Sequence, residues 1–425
     1  MNTLLLGAGG REHALAWKLR QSPQCGALYC APGNPGTARA GGTNVPALVP
    51  TNPAAVVAFV REHRIDLVVV GPEAPLVAGV TDALRAEADL GHVIVVGPGK
   101  AGARLESSKV WSKNFMQRNG IPTPPARAFT VAQAADARAY VQQHGLPVVL
   151  KADGLAQGKG VVVAQTHAEA DEALNTMFGG AFGDAGQTVL VEAFLGGPEL
   201  SVFVLTGGDG FALLPNAQDY KRVGVGDTGP NTGGMGAVSP APAADEPFMQ
   251  RVRNEIIGPT LTGLRAEGIE YQGFIFIGLI RVGDAPWVIE YNVRLGDPET
   301  QAILPRLGND LIELFQAMHQ RRMSYVSLHT DPRPTCTVVL ATEGYPGPYP
   351  TGAPITGLAQ AEAQAETLVF HAGTVATSHG LATAGGRVLA VTARADSAAA
   401  ATAAAHRAAD LIHWEGVFRR ADVGM

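Results

Sequence analysis

Two segments concentrate residue types that handle phosphate and metal ions, KADGLAQGKGVVV at 151–163 and VIEYNVRLGDPETQ at 288–301. The first reads as a strand ending in Lys151, a glycine-rich loop whose backbone amides can approach phosphates, and a strand that leaves again. Lys151 closes an apolar run ahead of Asp-Gly, and Lys159 lies between Gly158 and Gly160, so both ammonium groups accompany backbone free to curl around an anion. This is the pattern of a nucleotide lid, opened by Gly154. Solvated lysines are the commoner case, and the glycine context weighs against it here. In the second segment Glu290 and Asn292 stand two apart on one strand face behind the apolar WVI, followed by Arg294 and an acidic turn. Such a pair suits magnesium or manganese, hard ions that take a few oxygen ligands and share the remaining positions with phosphates and water. Polar edge-strand positions are the bland alternative.

Other candidates take meaning from their place relative to these two. Glu192, Ala193, Phe194 and Leu195 end a strand at a connector, where backbone groups can pair with an adenine edge and Phe194 adds apolar surface. Glu199 follows and could accept ribose hydroxyls; alone, these residues would read as a strand, a turn and a solvated glutamate. The stretch NAQDYKRVGVGDTGPNTGGMGAVSP at 216–240 is too long and glycine-rich for an ordinary connector. Its glycines could nest an anion, with Asp219, Lys221 and Arg222 on the near arm, or it could be a disordered flap. GAGGRE at 7–12 puts glycines between a strand and a helix N-terminus, where phosphate binds. Its spacing departs from Gly-x-Gly-x-x-Gly and the second strand ends in APGN, without the acid that holds a dinucleotide ribose. A phosphorylated sugar or a plain tight turn remains. Lys109, in a helix beside Ser107, Ser108 and Lys113, is the least distinctive. The histidines show no paired ligand spacing, and no nucleophile elbow is present.

The elements that must position these residues fall into three groups. Residues 1–104 alternate β-branched runs with helical patterns at 11–21, 53–63 and 76–88, a parallel sheet with helices on its faces and ligand loops at the strand ends. Residues 105–327 begin with a helix through LESSKVWSKNFMQRNG and the proline-rich connector IPTPPA. They contain the lid at about 124–192 with a helix at 167–179, then the loop, a helix at about 247–266 and two long strands. Residues 328–425 alternate strands with a helix at 397–413, a small α+β unit; the fold class is thus α/β with α+β.

Composition narrows the partners. At 425 residues the chain exceeds one compact core, so clefts between units are available. Charged residues are 16% and the net charge is -6, which points to no nucleic-acid or anionic-membrane partner. Cys25, Cys30 and Cys336 form no metal spacing and are odd in number, as expected for free thiols in the cytoplasm. The opening lacks the basic lead and long core of a signal peptide, and no apolar run is long enough for a bilayer.

In order along nearly its whole length, the chain carries GAGGREHALAW, APGN, VGPEAPL, KADGLAQGKGV, DTGPNTGGMGAVSP, EYNVRLGDPETQ, FHAGT, GRVL and LIHW. With these it resembles the phosphoribosylamine-glycine ligase family of the ATP-grasp ligases. The lid alone would indicate only the superfamily, whereas VGPEAPL and DTGPNTGGMGA are specific to the family. The resemblance implies an ATP-grasp fold with an N-terminal parallel-sheet domain and a small C-terminal domain. It implies the joining of glycine to 5-phosphoribosylamine with ATP through glycyl phosphate, giving glycinamide ribonucleotide, ADP and phosphate in purine biosynthesis, by a monomer or weak homodimer.

In that reading Lys109 and Lys151 hold the α and β phosphates, the 154–160 loop covers them, and Glu290 and Asn292 hold magnesium or manganese. Arg294 steadies the glycine carboxylate and then the acyl phosphate, with Lys151, Asp219 and Lys221 also in the catalytic set. Gly9, Gly10, Arg11, Asn34 and Glu73 take the sugar phosphate and ribose. Closure excludes water that would hydrolyse the intermediate. Two departures stand out. Tyr220 occupies DYKR where the family shows DHKR, and GFIFIGLI lacks the acidic metal ligand many ATP-grasp enzymes place on that strand. The alternatives are another purine-pathway ATP-grasp ligase, one carboxylating aminoimidazole ribonucleotide, and a non-catalytic nucleotide sensor; the retained Lys151, Glu290 and Asn292 oppose the sensor.

Overall fold

The computed structural model describes residues 1–155 and 160–425. The chain opens with β1 (Thr3–Gly7), β2 (Leu28–Pro32), β3 (Thr43–Asn44), β4 (Leu67–Val70) and β5 (Ile94–Val96). They pair in parallel in the order β3-β2-β1-β4-β5. TLLLG and LVVV are buried throughout, as strands covered on both faces must be. The order reverses between β1 and β4, so the loops leaving those strands diverge and open a crevice at their carboxyl ends. GAGGRE and GPEA both lie there. The helix expected at 76–88 starts earlier and is broken by Gly79 at φ 91°, giving Glu73–Ala78 and Val80–Ala86. Glu73 therefore heads a helix rather than lying in a loop.

The helix expected from 105 is also two, Lys100–Ser107 and Lys109–Arg118. Ser108 is extended and its hydroxyl accepts the Trp111 amide, so the serine caps the second helix instead of continuing the first. The lid sheet, β6 (Ala126–Thr130), β7 (Val148–Ala152), β8 (Val161–Ala164) and β9 (Thr188–Ala193), is antiparallel in the order β6-β9-β7-β8. Phe129, Val141, Leu150, Leu174 and Val191 form a core of its own.

Next come β10 (Glu199–Thr206) and β11 (Phe211–Leu213), then β12 (Gln218–Asp219), β13 (Arg222–Gly224), β14 (Thr228–Asn231) and β15 (Gly236–Ser239), then β16 (Gly273–Val282) and β17 (Ala285–Asn292). β11-β10-β16-β17 make an antiparallel sheet. The stretch expected as an open loop thus holds four short strands. Two of them belong to the last unit: β12 and β15 form the edge of a sheet completed by β18 (Thr335–Thr342), β19 (Thr367–His371), β22 (Arg387–Arg394) and β23 (Val417–Phe418), while β20 (Thr374–Thr377) and β21 (Gly380–Thr383) pair separately. The helix Ala398–Ala409 covers that sheet.

The first sheet shares its cores with β10 and β16. Leu4 and Val68 pack in one cluster with Val202 and Ile277, and Leu5 and Val69 in another with Phe203 and Phe276. Those two units are therefore fastened by continuous apolar packing, and the lid is not. Among the described residues no helix is long and apolar enough to cross a membrane.

Candidate active site

Arg294 is the centre at which the units meet. Two residues beyond the end of β17, its Nη2 donates to Glu106 Oε1 at 2.7 Å and to Asn292 Oδ1 at 3.0 Å, and its Nε to Glu73 Oε2 at 3.3 Å. Glu106 Oε2 also accepts the Val293 amide at 2.8 Å, fixing the chain as it leaves the strand. Burial raises the Glu106 carboxyl above its ordinary range. Burial acts the same way on Glu73, but Arg294 and Arg11 outweigh it and hold that carboxyl low. Glu73, expected on a separate acceptor surface, thus touches the same guanidinium as Asn292.

Glu290 and Asn292 share one face of β17, with Gly278 paired directly across from Glu290. A Cβ at Gly278 would come within 2.8 Å of Glu290 Cγ, so the absence of an acid on β16 at this point leaves the space that the Glu290 side chain fills. Burial disfavours its charge, yet Lys221, Lys151, Lys109 and Arg294 together hold it ionised below the usual range. Among the described residues no group of three or more His, Cys, Asp or Glu could enclose a metal. One carboxylate and one amide oxygen nevertheless fit a magnesium-type ion that draws its other ligands from phosphate and water.

Lys151 Nζ donates to Glu192 Oε1 at 2.8 Å and to the Ile289 carbonyl at 2.9 Å, bridging lid to β17. The buried Glu192 lies 2.7 Å from Lys113 Nζ as well, so its carboxylate answers two lysines. Burial lowers Lys113 to about 8 despite that partner. Lys113 was missed as a site residue, although its i, i+4 spacing from Lys109 marks it. Lys109 Nζ donates to the Gly154 carbonyl at 2.8 Å, and Asp153 accepts from the Val110 amide and the Ser108 hydroxyl, so the helix N-terminus anchors the near end of the glycine loop. Gly160 closes the loop before β8, while Gly158 and Lys159 lie outside the described residues. In the connector, the Ala193 amide is taken by Pro125, Phe194 is exposed and Leu195 half-buried.

β12 carries Asp219 to the same cleft. Lys221 just beyond it reaches Glu199 Oε2 at 2.9 Å and Glu290 Oε1 at 3.5 Å, linking the ribose candidate to the metal candidate. Asp219 is pushed up to about 8, by burial above all, with Glu299, Glu199 and Glu290 adding to the effect and Lys221 opposing it. Glu299, buried and raised in the same direction by burial, accepts from Ser201 Oγ at 3.2 Å. Beyond the acidic turn, no local pattern marks it.

At the first crevice, the Gly9 amide donates to Glu12 Oε2 at 2.6 Å and the Arg11 amide to Asp297 Oδ2 at 3.3 Å. The Arg11 side chain pairs with Glu12 and donates to the Leu295 carbonyl. Gly10 has no room for a Cβ, which would meet Gln301 Nε2 at 2.5 Å. The Asn34 amide donates to the Ala8 and His371 carbonyls at 2.8 and 2.9 Å while its oxygen caps Thr37, so Asn34 holds the glycine loop in place rather than offering a free atom. Arg387 of β22, within the GRVL motif but not singled out as a site residue, donates to the carbonyls of Gly233, Gly234 and Asp297, bringing the glycine stretch against this crevice.

A four-stranded lid sheet with its own core, tied through Lys151 and Lys109 to a sheet that presents Glu290, Asn292 and Arg294, with a parallel-sheet domain supplying further loops, is the arrangement of an ATP-grasp ligase. Three family models for phosphoribosylglycinamide synthetase match most of the chain: the N domain over residues 1–106, the ATP-grasp (A) domain over 107–300 and the C domain over 335–425. The phosphoribosylamine-glycine ligase of Yersinia pestis is 48% identical over 100% of this chain and 98% of its own. A crystal structure of the Thermotoga maritima phosphoribosylamine-glycine ligase superposes with a TM-score of 0.83 at 31% identity, covering 99% of this chain and 100% of that one. The N5-carboxyaminoimidazole ribonucleotide synthetase of Thermus thermophilus shares the fold, with a TM-score of 0.63 at 20% identity over 96% and 98% of the two chains. The chain belongs to the phosphoribosylglycinamide synthetase family, and it is an ADP-forming ligase of purine biosynthesis.

Proposed function

We propose that the Arg294 cleft joins glycine to 5-phosphoribosylamine, in the cytoplasm, by way of glycyl phosphate. The observation that carries this reading is the convergence on one guanidinium of Glu73 from the first crevice and Asn292 from the metal-binding strand. A carboxylate and an amine do not condense in water at neutral pH, so the carboxylate oxygen of glycine must first take the γ-phosphoryl of ATP. ADP leaves, and the amine nitrogen then attacks the acyl carbon, phosphate departs and the nitrogen loses a proton.

Arg294 orients the glycine carboxylate and keeps hold of the acyl phosphate formed from it. Lys109 and Lys151 bind the α and β phosphates, and Lys221 offsets charge growing on the transferred group. Glu290 and Asn292 would hold a divalent ion, which would offset the negative charge of the triphosphate during transfer. Asp219 lies beside Lys221 in this cleft, and its ionised form, the minority at neutral pH while burial holds the carboxyl up at about 8, takes the proton released by the amine. Glu192 to Leu195 and Glu199 receive adenine and ribose, the glycine loop shuts out water, and Gly9, Gly10, Arg11, Asn34 and Glu73 shape the acceptor site.

The deciding measurement is ADP release with each substrate pair. Release that needs both glycine and phosphoribosylamine supports the reading; release with bicarbonate and aminoimidazole ribonucleotide instead transfers it to the carboxylating ligases.

A further inference from the structure

Tyr220 stands between Asp219 and Lys221, and its ring and hydroxyl are tied to the far end of the chain. We infer that the segment Arg420–Gly424 is a strut that sets the position of Asp219 and Lys221, with Arg420 as its positioning residue; this rests on the roles proposed above for those two side chains. The Arg420 guanidinium is 1% exposed and sits 5.0 Å from the centre of the Tyr220 ring. It donates to the Arg222 carbonyl at 3.0 Å and Asp227 Oδ1 at 2.7 Å, and grips both oxygens of Asp422 at 2.9 and 2.7 Å. Asp422 Oδ2 in turn accepts the Gly226 amide at 2.9 Å, and the Gly424 amide donates to the Tyr220 hydroxyl at 2.9 Å.

Tyr220 and Lys221 are also bonded through their backbone to Gly236, Met235 and Thr232, but the hairpin arm that continues beyond them is lightly held. β13 and β14 form an isolated two-stranded hairpin, marginal by itself in water. Val225 at its tip is 56% exposed, and β12 pairs with β15 through two residues only. The strut, by contrast, is anchored in the last core: Val423 is wholly buried there, its carbonyl faces His406 Nε2 at 2.9 Å, and the Gly424 carbonyl accepts from Thr402. Burying an arginine costs desolvation that only good geometry offsets, and this one faces the arm. The tyrosine at 220 brings its hydroxyl to the Gly424 amide, a contact made at the position where the chain departs from the family pattern.

The test compares Arg420→Gln, Arg420→Lys and Tyr220→Phe by steady-state turnover and by amide hydrogen exchange. Arg420→Gln is expected to lower kcat about 10- to 100-fold while KM for ATP stays within about twofold, the pattern of a displaced catalytic group. Arg420→Lys, which keeps the charge and loses the fork, should recover part of the loss. Exchange should quicken over 222–231 in each variant, with β18 and β22 as protected as in the parent chain. Unchanged exchange in the arm overturns the strut, and quickened exchange with normal kcat overturns its positioning role. Should Arg420→Gln fail to fold, the same two readouts on Arg420→Lys and Tyr220→Phe decide. Normal turnover in Asp219→Asn and Lys221→Ala would instead sink the roles given to those residues, whatever the arm does.

Discussion

Glu290 brings a negative charge into a cleft crowded with cations, and its ionised state survives burial only because Lys221, Lys151, Lys109 and Arg294 surround it. In the proposed site, removing that charge would leave the lysines to bind triphosphate and take away the hard ligand. Glu290→Gln should therefore cut kcat at least about 100-fold with nucleotide affinity changed only a few-fold. Turnover and nucleotide titration at saturating magnesium check this, and near-normal kcat there would remove Glu290 from the metal site. The pairing of Glu290 with Asn292 was legible because alternation along a strand is local and both residues interrupt an apolar face. Glu106 was not legible. Its role comes from a guanidinium 188 positions away in sequence, and nothing in LESSK announces it.

At the scale of elements, the lid is set apart by its own core and tied to the rest through Lys151, Lys109 and Asp153. Gly154 adopts φ 143°, and a Cβ there would lie 2.7 Å from that of Ala185. Gly154→Val must strain the backbone or push the loop outward, at about 1–3 kcal/mol. KM for ATP should accordingly rise by about 10-fold, while the main unfolding transition, which reports the shared cores of the other units, stays in place. Calorimetry beside steady-state kinetics tests both halves; an unchanged KM would reduce the loop to a turn. The helix breaks at Gly79 and Ser108 escaped the sequence for a different reason. The hydrophobic periodicity runs on through both, and only the backbone angles at those residues, with the Ser108 cap, record the interruption.

Across the whole molecule, the crevice of the first sheet and the Arg294 cleft meet in one place, through the Glu73–Arg294 contact. Because Glu73 is one of three side chains that fix the Arg294 guanidinium, Glu73→Ala loosens the group proposed to hold the glycine carboxylate and also removes the proposed acceptor for ribose hydroxyls. KM values for glycine and for phosphoribosylamine should rise together, with that for ATP nearly unmoved; a loss of ATP affinity alone would contradict this division. The junction of the first and last units carries a second expectation. The His371 amide donates to His13 Nδ1 at 2.8 Å, and burial holds His13 at about 3 and His371 at about 4, against 6.5 for the free side chain. The unfolded chain therefore takes up protons first, so each histidine withdraws stability as pH falls from 6.5 towards those values, by about 1.4 kcal/mol per pH unit. Melting curves of the parent and His13→Gln should accordingly converge as pH is lowered from about 7 to about 5. Parallel curves would show that His13 does not enter the fold uncharged.

What the sequence by itself determined was whatever short-range pattern encodes: the buried parallel strands, the glycine lid after Lys151, the shared face of Glu290 and Asn292, and the ordered motifs that place the chain in its family. What only the tertiary structure decided was which distant groups share a contact. Arg294 meets Glu73 across 221 positions, Arg420 reaches back to the arm beside Tyr220, and the stretch at 216–240 supplies the edge of a sheet formed by the last ninety or so residues. Strand alternation and helix periodicity are set by each residue's near neighbours. An ion pair between units depends on how whole cores dock, and nothing in the local order of residues carries that information.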